Sequence, residues 1–168
     1  MKAVAKFEKV SFDQFKAGMD GMGFSDDDVR SMYDNIVLPK RATAYSAGYD
    51  IHTPFALSLK PGESIKIPTG IRCRINEDYA LFVFPRSGLG FKFRFQLNNT
   101  VGVIDSDYYG SDNEGHIFVK MMNDSNEGKT VELKAGDAFA QGIFMQYGIT
   151  EDDAADGVRN GGFGSTSK

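Results

Sequence analysis

The sequence predicts an all-β sandwich or barrel preceded by a short helical extension. Three observations carry this. Apolar residues recur at helical spacing up to about residue 36, the apolar period changes to two from about residue 50, and turns bearing Pro or Gly punctuate the rest. The 168 residues suffice for one domain with a sizeable core, and 41% hydrophobic with 25% charged residues is ordinary for a globular protein. We divide the chain into an N-terminal extension over residues 1–37, packed on the body, a β-domain over 38–147 and a C-terminal tail over 148–168.

In the extension, Phe12, Phe15, Met19 and Met22 share one helical face, with Ser11 and Gln14 as a capping box and Gly18, Gly21 and Gly23 closing the helix. A second helix starts at Ser25. Asp26, Asp27 and Asp28 suit the positive end of its dipole, and Val29, Met32, Tyr33 and Ile36 form its apolar stripe before Pro39. Strands then follow at Phe55 to Leu59, Ile65 to Ile67, Ile71 to Ile75 and Tyr79 to Phe84. Phe91, Phe93, Phe95 and Leu97 alternate with Lys92, Arg94 and Gln96, which predicts another strand. His116 to Met122, Thr130 to Leu133 and Ala138 to Tyr147 complete the set, with turns at Pro61-Gly62 and Ala135-Gly136-Asp137. The acidic stretch from Gly148 and the Gly/Ser-rich RNGGFGSTSK end cannot bury a core and read as mobile without a ligand, with no reason to fold back on their own chain.

Several classes are disfavoured. A net charge of −4 argues against a nucleic-acid binder. The single cysteine, Cys73, cannot form an intrachain disulfide and alternates with Ile71 and Ile75 as a buried strand thiol. No secretory pattern opens the chain and no stretch is apolar enough for a membrane, so the expectation is a cytoplasmic protein.

Five segments interrupt the strand pattern. SAGYDIHTP carries Asp50 beside a small-residue turn. PRSGLG sets Arg86, Ser87 and Gly88 together: a cation, a hydroxyl and an accessible backbone N–H, which suit a phosphate but also an ordinary turn. NNTVGVIDSDYYG carries Asp105 and Tyr108, where a carboxylate can orient a water as general base, although a surface turn rich in acids reads the same way. In AQGIF, Gln141 is the one polar side chain of an apolar run, and a buried amide needs partners. The tail places Phe163 among glycines, with Arg159, Ser165 and Thr166 nearby, where an aromatic can close over a flat ring.

In this order and at these separations, from about Leu38 to the C-terminus, the five segments resemble the motifs of the trimeric dUTPases. PRSGLG, GVIDSDYYG and GFGST are the most specific. The resemblance implies a β jelly-roll or distorted barrel and a homotrimer whose active sites are shared between chains. It also implies hydrolysis of dUTP to dUMP and pyrophosphate, limiting uracil in DNA and supplying dUMP. Arg86, Ser87 and Gly88 would then hold the triphosphate, while Asn99 and the backbone near Val103 and Ile104 read the uracil edge. Such a pattern separates uracil from cytosine by about 10⁴-fold when the wrong base leaves a polar group unpaired. Tyr108 would pack under the deoxyribose and Asp105 would activate the water that strikes the α-phosphorus. Phe163 would cover the base, with Arg159, Gly164, Ser165 and Thr166 on the phosphates. Mg²⁺ is the implied cofactor, carried on phosphate oxygens, with no direct protein ligand and with Asp50 and Gln141 acting through water.

The sequence departs from the family pattern in three places. Arg159 to Phe163 is one residue shorter than usual, Ser167 replaces a glycine, and an insertion of about Ser111 to Gly115 follows the third motif. The extension over residues 11–36 lies outside the resemblance. A dCTP deaminase of related fold needs a Glu that HIFVKMMN lacks, and two histidines with one cysteine cannot form a zinc deaminase site. A rival of another class is a nucleotide-sensing regulator that docks a protein partner on the extension or the insertion.

Overall fold

A computed structural model describes residues 2–161, so Phe163, Gly164, Ser165 and Thr166 lie outside the described residues. The fold is all-β and jelly-roll-like, built from four small antiparallel sheets around one apolar core. Strands β1 (Ala5–Lys9) and β6 (Ile71–Ile75) pair, as do β4 (Leu57–Leu59) and β11 (Val131–Leu133). A three-stranded sheet runs β5 (Ser64–Pro68), β10 (Phe118–Asn123), β8 (Phe95–Leu97). The largest sheet orders β2 (Lys40–Arg41), β3 (Tyr49–His52), β12 (Ala138–Gln146), β7 (Tyr79–Pro85) and β9 (Gly102–Ile104). Period-two strands present alternate residues inward. Ile51, Ile67, Leu81, Phe95, Met121, Val131 and Phe139 meet in the core, and Cys73 is buried there as a strand thiol. Burial pushes that thiol up to about 12.

The extension forms both expected helices, α1 (Phe12–Gly18) and α2 (Asp26–Asp34). Their stripes join the common core. Phe15, Met19 and Val29 are buried, and Phe12, Met22, Met32, Tyr33 and Ile36 pack against them. Ser25 and Asp28 make a reciprocal capping box on α2. On α1 the expected partner is wrong. Ser11 accepts from the Gln14 amide at 3.2 Å, but the Ser11 N–H donates to Glu114 at 2.8 Å, so a carboxylate 103 residues away takes the role assigned to Gln14. Strand β1 was not foreseen. Its five residues alternate Ala5 and Phe7 with charged neighbours, a signal too short to stand out until Phe7 is seen opposite Cys73.

A second correction concerns residues 91–97. Only β8 is strand, and Ser87–Phe93 is helix α3. Leu89 and Phe93 pack on the core while Phe91 is 92% exposed. That four-residue spacing is a helical face, which the period-two pattern of Phe91, Phe93 and Phe95 concealed. Arg94 ends the helix in the left-handed region at φ 53°, after which the chain enters β8.

Candidate active site

The hairpin of the third motif bridges two sheets. Its first arm, β8, pairs with β10, and its second, β9, pairs with β7. Where the arms part, a cavity of about 580 Å³ opens. Val83, Leu97, Ile117 and Val119 contribute to its apolar lining, and the hairpin residues Asn98, Asn99 and 101–105 form one side. Close packing fixes the hairpin: a Cβ on Gly102 would stand 3.3 Å from Val83. Asn99, Val103, Ile104, Asp105 and Tyr108 all line this cavity, as expected of a common pocket, and Arg159 joins them. The Asn99 amide makes only a long 3.4 Å bond to the Val101 carbonyl, which leaves it able to turn toward a ligand.

Asp105 stands at the start of the 3₁₀ turn Ser106–Gly110, and its carboxylate makes no capping bond. It meets Arg159 instead, at 2.5 Å, while the same guanidinium reaches Asp107 at 2.8 Å. Composition gave the tail no reason to fold back, yet in the single chain it does. Two adjacent carboxylates offer the guanidinium fork a matched partner.

Tyr108 is buried. Its hydroxyl donates to the His116 carbonyl at 2.7 Å and accepts from the Asn113 amide at 2.8 Å. Burial holds its pKa above the ordinary phenol value.

The remaining site residues among those described form a second group, and none of them lines the cavity. Gln141 lies opposite Asp50 across β12 and β3, and its amide donates to the Pro85 carbonyl at 2.9 Å. That turns the amide oxygen toward Gly48. A Cβ there would sit 2.4 Å from it, so a side chain at this position of SAGYD would displace the Gln141 amide from its present placement. Arg86 pairs with Asp50 at 3.0 Å and donates to the Ala138 carbonyl at 3.2 Å. Ser87 and Gly88 open α3, which has no side-chain cap, and the space beside Gly88 is open. Backbone N–H groups of a helix start suit anionic oxygens. Asp50, Arg86 and Gln141 thus meet across β3, β7 and β12, with Ser87 and Gly88 following directly after Arg86 in the chain.

Lys66 and Lys120 were missed in the sequence. They face each other across β5 and β10 and both line the cavity, bringing positive charge to its edge. Their only signal was a polar slot in an alternating strand, which most solvated lysines share. Among the described residues no group of three or more His, Cys, Asp or Glu could hold a metal. The oxygens of Asp50 and Gln141 fit a hydrated cation carried by a ligand better than one bound directly. No helix among the described residues is long and apolar enough to cross a membrane.

The chain is similar to known proteins along most of its length. The deoxyuridine 5'-triphosphate nucleotidohydrolase of Lactococcus lactis is 41% identical over 144 residues, covering 83% of this chain and 95% of that protein. The protein of the same name from Actinobacillus pleuropneumoniae serotype 5b is 40% identical over 139 residues, covering 78% of this chain and 87% of its own. The crystal structure of a dUTPase from Streptococcus mutans superposes with a TM-score of 0.64 at 34% identity, over 86% of this chain and 98% of that one. The dUTPase family model matches residues 34–167, and the chain belongs to the dUTPase family.

Proposed function

We propose that the protein hydrolyses dUTP to dUMP and pyrophosphate with magnesium assistance. The observation that carries this reading is the hairpin cavity, which sets an amide-rich edge, a buried tyrosine and a carboxylate around a space of about 580 Å³. Asn99 and the backbone at Val103 and Ile104 read the uracil edge. Tyr108 packs against the deoxyribose and leaves no room for a 2′-hydroxyl. Asp105 accepts a proton from the water that attacks the α-phosphorus, once Arg159 leaves its carboxylate for the phosphates. Arg86, Ser87 and Gly88 hold phosphate oxygens, and Phe163 with Gly164, Ser165 and Thr166 closes the site and excludes bulk water. Asp50 and Gln141 orient water around a cation borne by the triphosphate. Bound magnesium supplies neutralisation of the charge that develops on the leaving pyrophosphate.

One nucleotide must touch both residue groups, and in the single chain only the first of them lines the cavity. This favours a homotrimer in which different subunits complete each site. The test is turnover of dUTP, dCTP, UTP and dTTP with and without Mg²⁺, reading pyrophosphate and the nucleotide product. Selective pyrophosphate release from dUTP, raised by Mg²⁺, is expected. Deamination of dCTP, or an inert dUTP, would overturn the reading. Asp105→Asn removes the basic oxygen while keeping size, and turnover should fall by about 10²-fold or more with dUTP still bound. Near-normal turnover would remove Asp105 from the mechanism.

A further inference from the structure

The insertion after the third motif folds back onto the tyrosine of the cavity. Its backbone lies so close that a Cβ on Gly115 would stand 2.7 Å from the Tyr109 Cα and 2.8 Å from the Tyr108 carbonyl oxygen. Gly115 has φ +70°, so a side chain there is excluded by space and by conformation alike. Within this turn Asn113 has two functions that can be separated. Its Oδ1 accepts from the Gly115 amide at 3.2 Å, which shapes the turn. Its Nδ2 donates to the Tyr108 hydroxyl at 2.8 Å, and the hydroxyl then donates to the His116 carbonyl at 2.7 Å.

The turn is in turn anchored by the extension. Glu114 accepts from the Ser11 amide at 2.8 Å and from its hydroxyl at 2.6 Å, at the start of α1. These bonds hold its carboxyl below the usual range. One residue beyond Tyr108, the Tyr109 hydroxyl donates to Glu8 of β1 at 2.6 Å. The extension therefore grips the tyrosine segment from two sides, and Asn113 is where that grip reaches a side chain lining the cavity.

We propose that Asn113 is a positioning residue for sugar selection. It fixes the Tyr108 ring through its hydroxyl, on a turn that the N-terminal extension holds in place. This rests on the reading that Tyr108 packs against the deoxyribose. A phenol hydrogen-bonded at both faces of its oxygen cannot swing aside, so a 2′-hydroxyl meets a fixed wall rather than a yielding one.

The experiment uses the full chain and the ratio of kcat/KM for dUTP to kcat/KM for UTP. Asn113→Ser keeps a hydroxyl able to accept from the Gly115 amide but is too short to reach Tyr108. The ratio should fall by about three- to tenfold, the scale of one lost hydrogen bond. Tyr108→Phe should lower it similarly, and adding Asn113→Ser to Tyr108→Phe should change it little further, because the two act chiefly through one short bond, the other contact of the Asn113 amide being a long 3.5 Å bond to the His116 carbonyl. An equal effect of Asn113→Ser in both backgrounds overturns the proposal, since Asn113 would then act by another route. An unchanged ratio in Asn113→Ser while Tyr108→Ala collapses it also overturns the proposal and leaves the sugar reading standing. An unchanged ratio in Tyr108→Ala removes the sugar reading itself, and the proposal with it.

Discussion

His116 is fully buried, and its Nε2 accepts from the Gly70 amide at 2.9 Å. The proton of the neutral ring therefore sits on Nδ1, which has no hydrogen-bond partner among the described residues. Burial lowers its pKa from 6.5 to about 4, against a weaker opposing pull from Glu114. The folded state thus refuses a proton that the unfolded chain accepts at pH 6.5. Stability from this residue is complete above pH 6.5, declines as pH falls toward 4, and is lost below that. The full loss is about 3 kcal/mol from the 1.36 kcal/mol of each pKa unit. His116→Gln keeps an acceptor for Gly70 and removes the titration. Urea unfolding across this window should show a shallower decline for the variant than for the parent. Parallel declines would mean that carboxylates alone set the acid sensitivity. The same residue lends its carbonyl to Tyr108, so its burial and the geometry of the cavity are one arrangement.

At the scale of elements, α2 isolates a local contribution. Ser25 caps it through the Asp28 amide, and Asp28 returns the bond to the Ser25 amide, both at 3.2 Å. Ser25→Ala should cost about 1 kcal/mol of stability, the usual value of an N-cap. It should leave dUTP turnover unchanged, because no residue of α2 lines the cavity. Denaturant unfolding and a turnover assay check both halves, and a fall in kcat with unchanged stability would reveal a link from α2 to the site. The helices were legible because Ser25, the acidic first turn and the 3.6-residue stripe agree on one structure. The segment after Arg86 was not. Phe91, Phe93 and Phe95 satisfy period two, and only tertiary packing of Leu89 and Phe93 chose the helix. The cap of α1 was misread for a related reason: Gln14 is near in sequence, but the chain fold brings the Glu114 carboxylate onto the Ser11 N–H.

At the scale of the molecule, the question is which chain's Asp105 the tail serves. The single chain sets Arg159 on its own Asp105. The proposed assembly carries it to a site made with other chains. From Gln146 at the end of β12 to Arg159 the tail can extend about 45 Å, enough to cross a subunit. Chains with Asp105→Asn keep intact tails and lack the base, while chains ending at Val158 keep the base and lack the tail. Each alone should be nearly inactive. Unfolded together and refolded as mixed oligomers, they should recover activity well above either parent. If the tail serves only its own chain's Asp105, mixing unites nothing and activity stays at the parental level.

The sequence by itself determined the fold class, most strand positions and the candidate residues from which the proposed chemistry is drawn. Each of these depends on local alternation, on turn residues, or on side-chain types at fixed short spacing. Asp105 and Tyr108 stand three apart, and Arg86, Ser87 and Gly88 are consecutive. Tertiary structure alone decided which of them meet. It parted the arms of one hairpin into two sheets and so opened the cavity, and it placed Lys66 and Lys120 beside it. It also set Gly48 against Gln141 and bound the extension to the tyrosine segment through Glu114 and Asn113. Apart from the local bond of Asn113 to Tyr108, these contacts join residues tens of positions apart. They arise from packing and register between strands, and no short-range pattern in the chain encodes them.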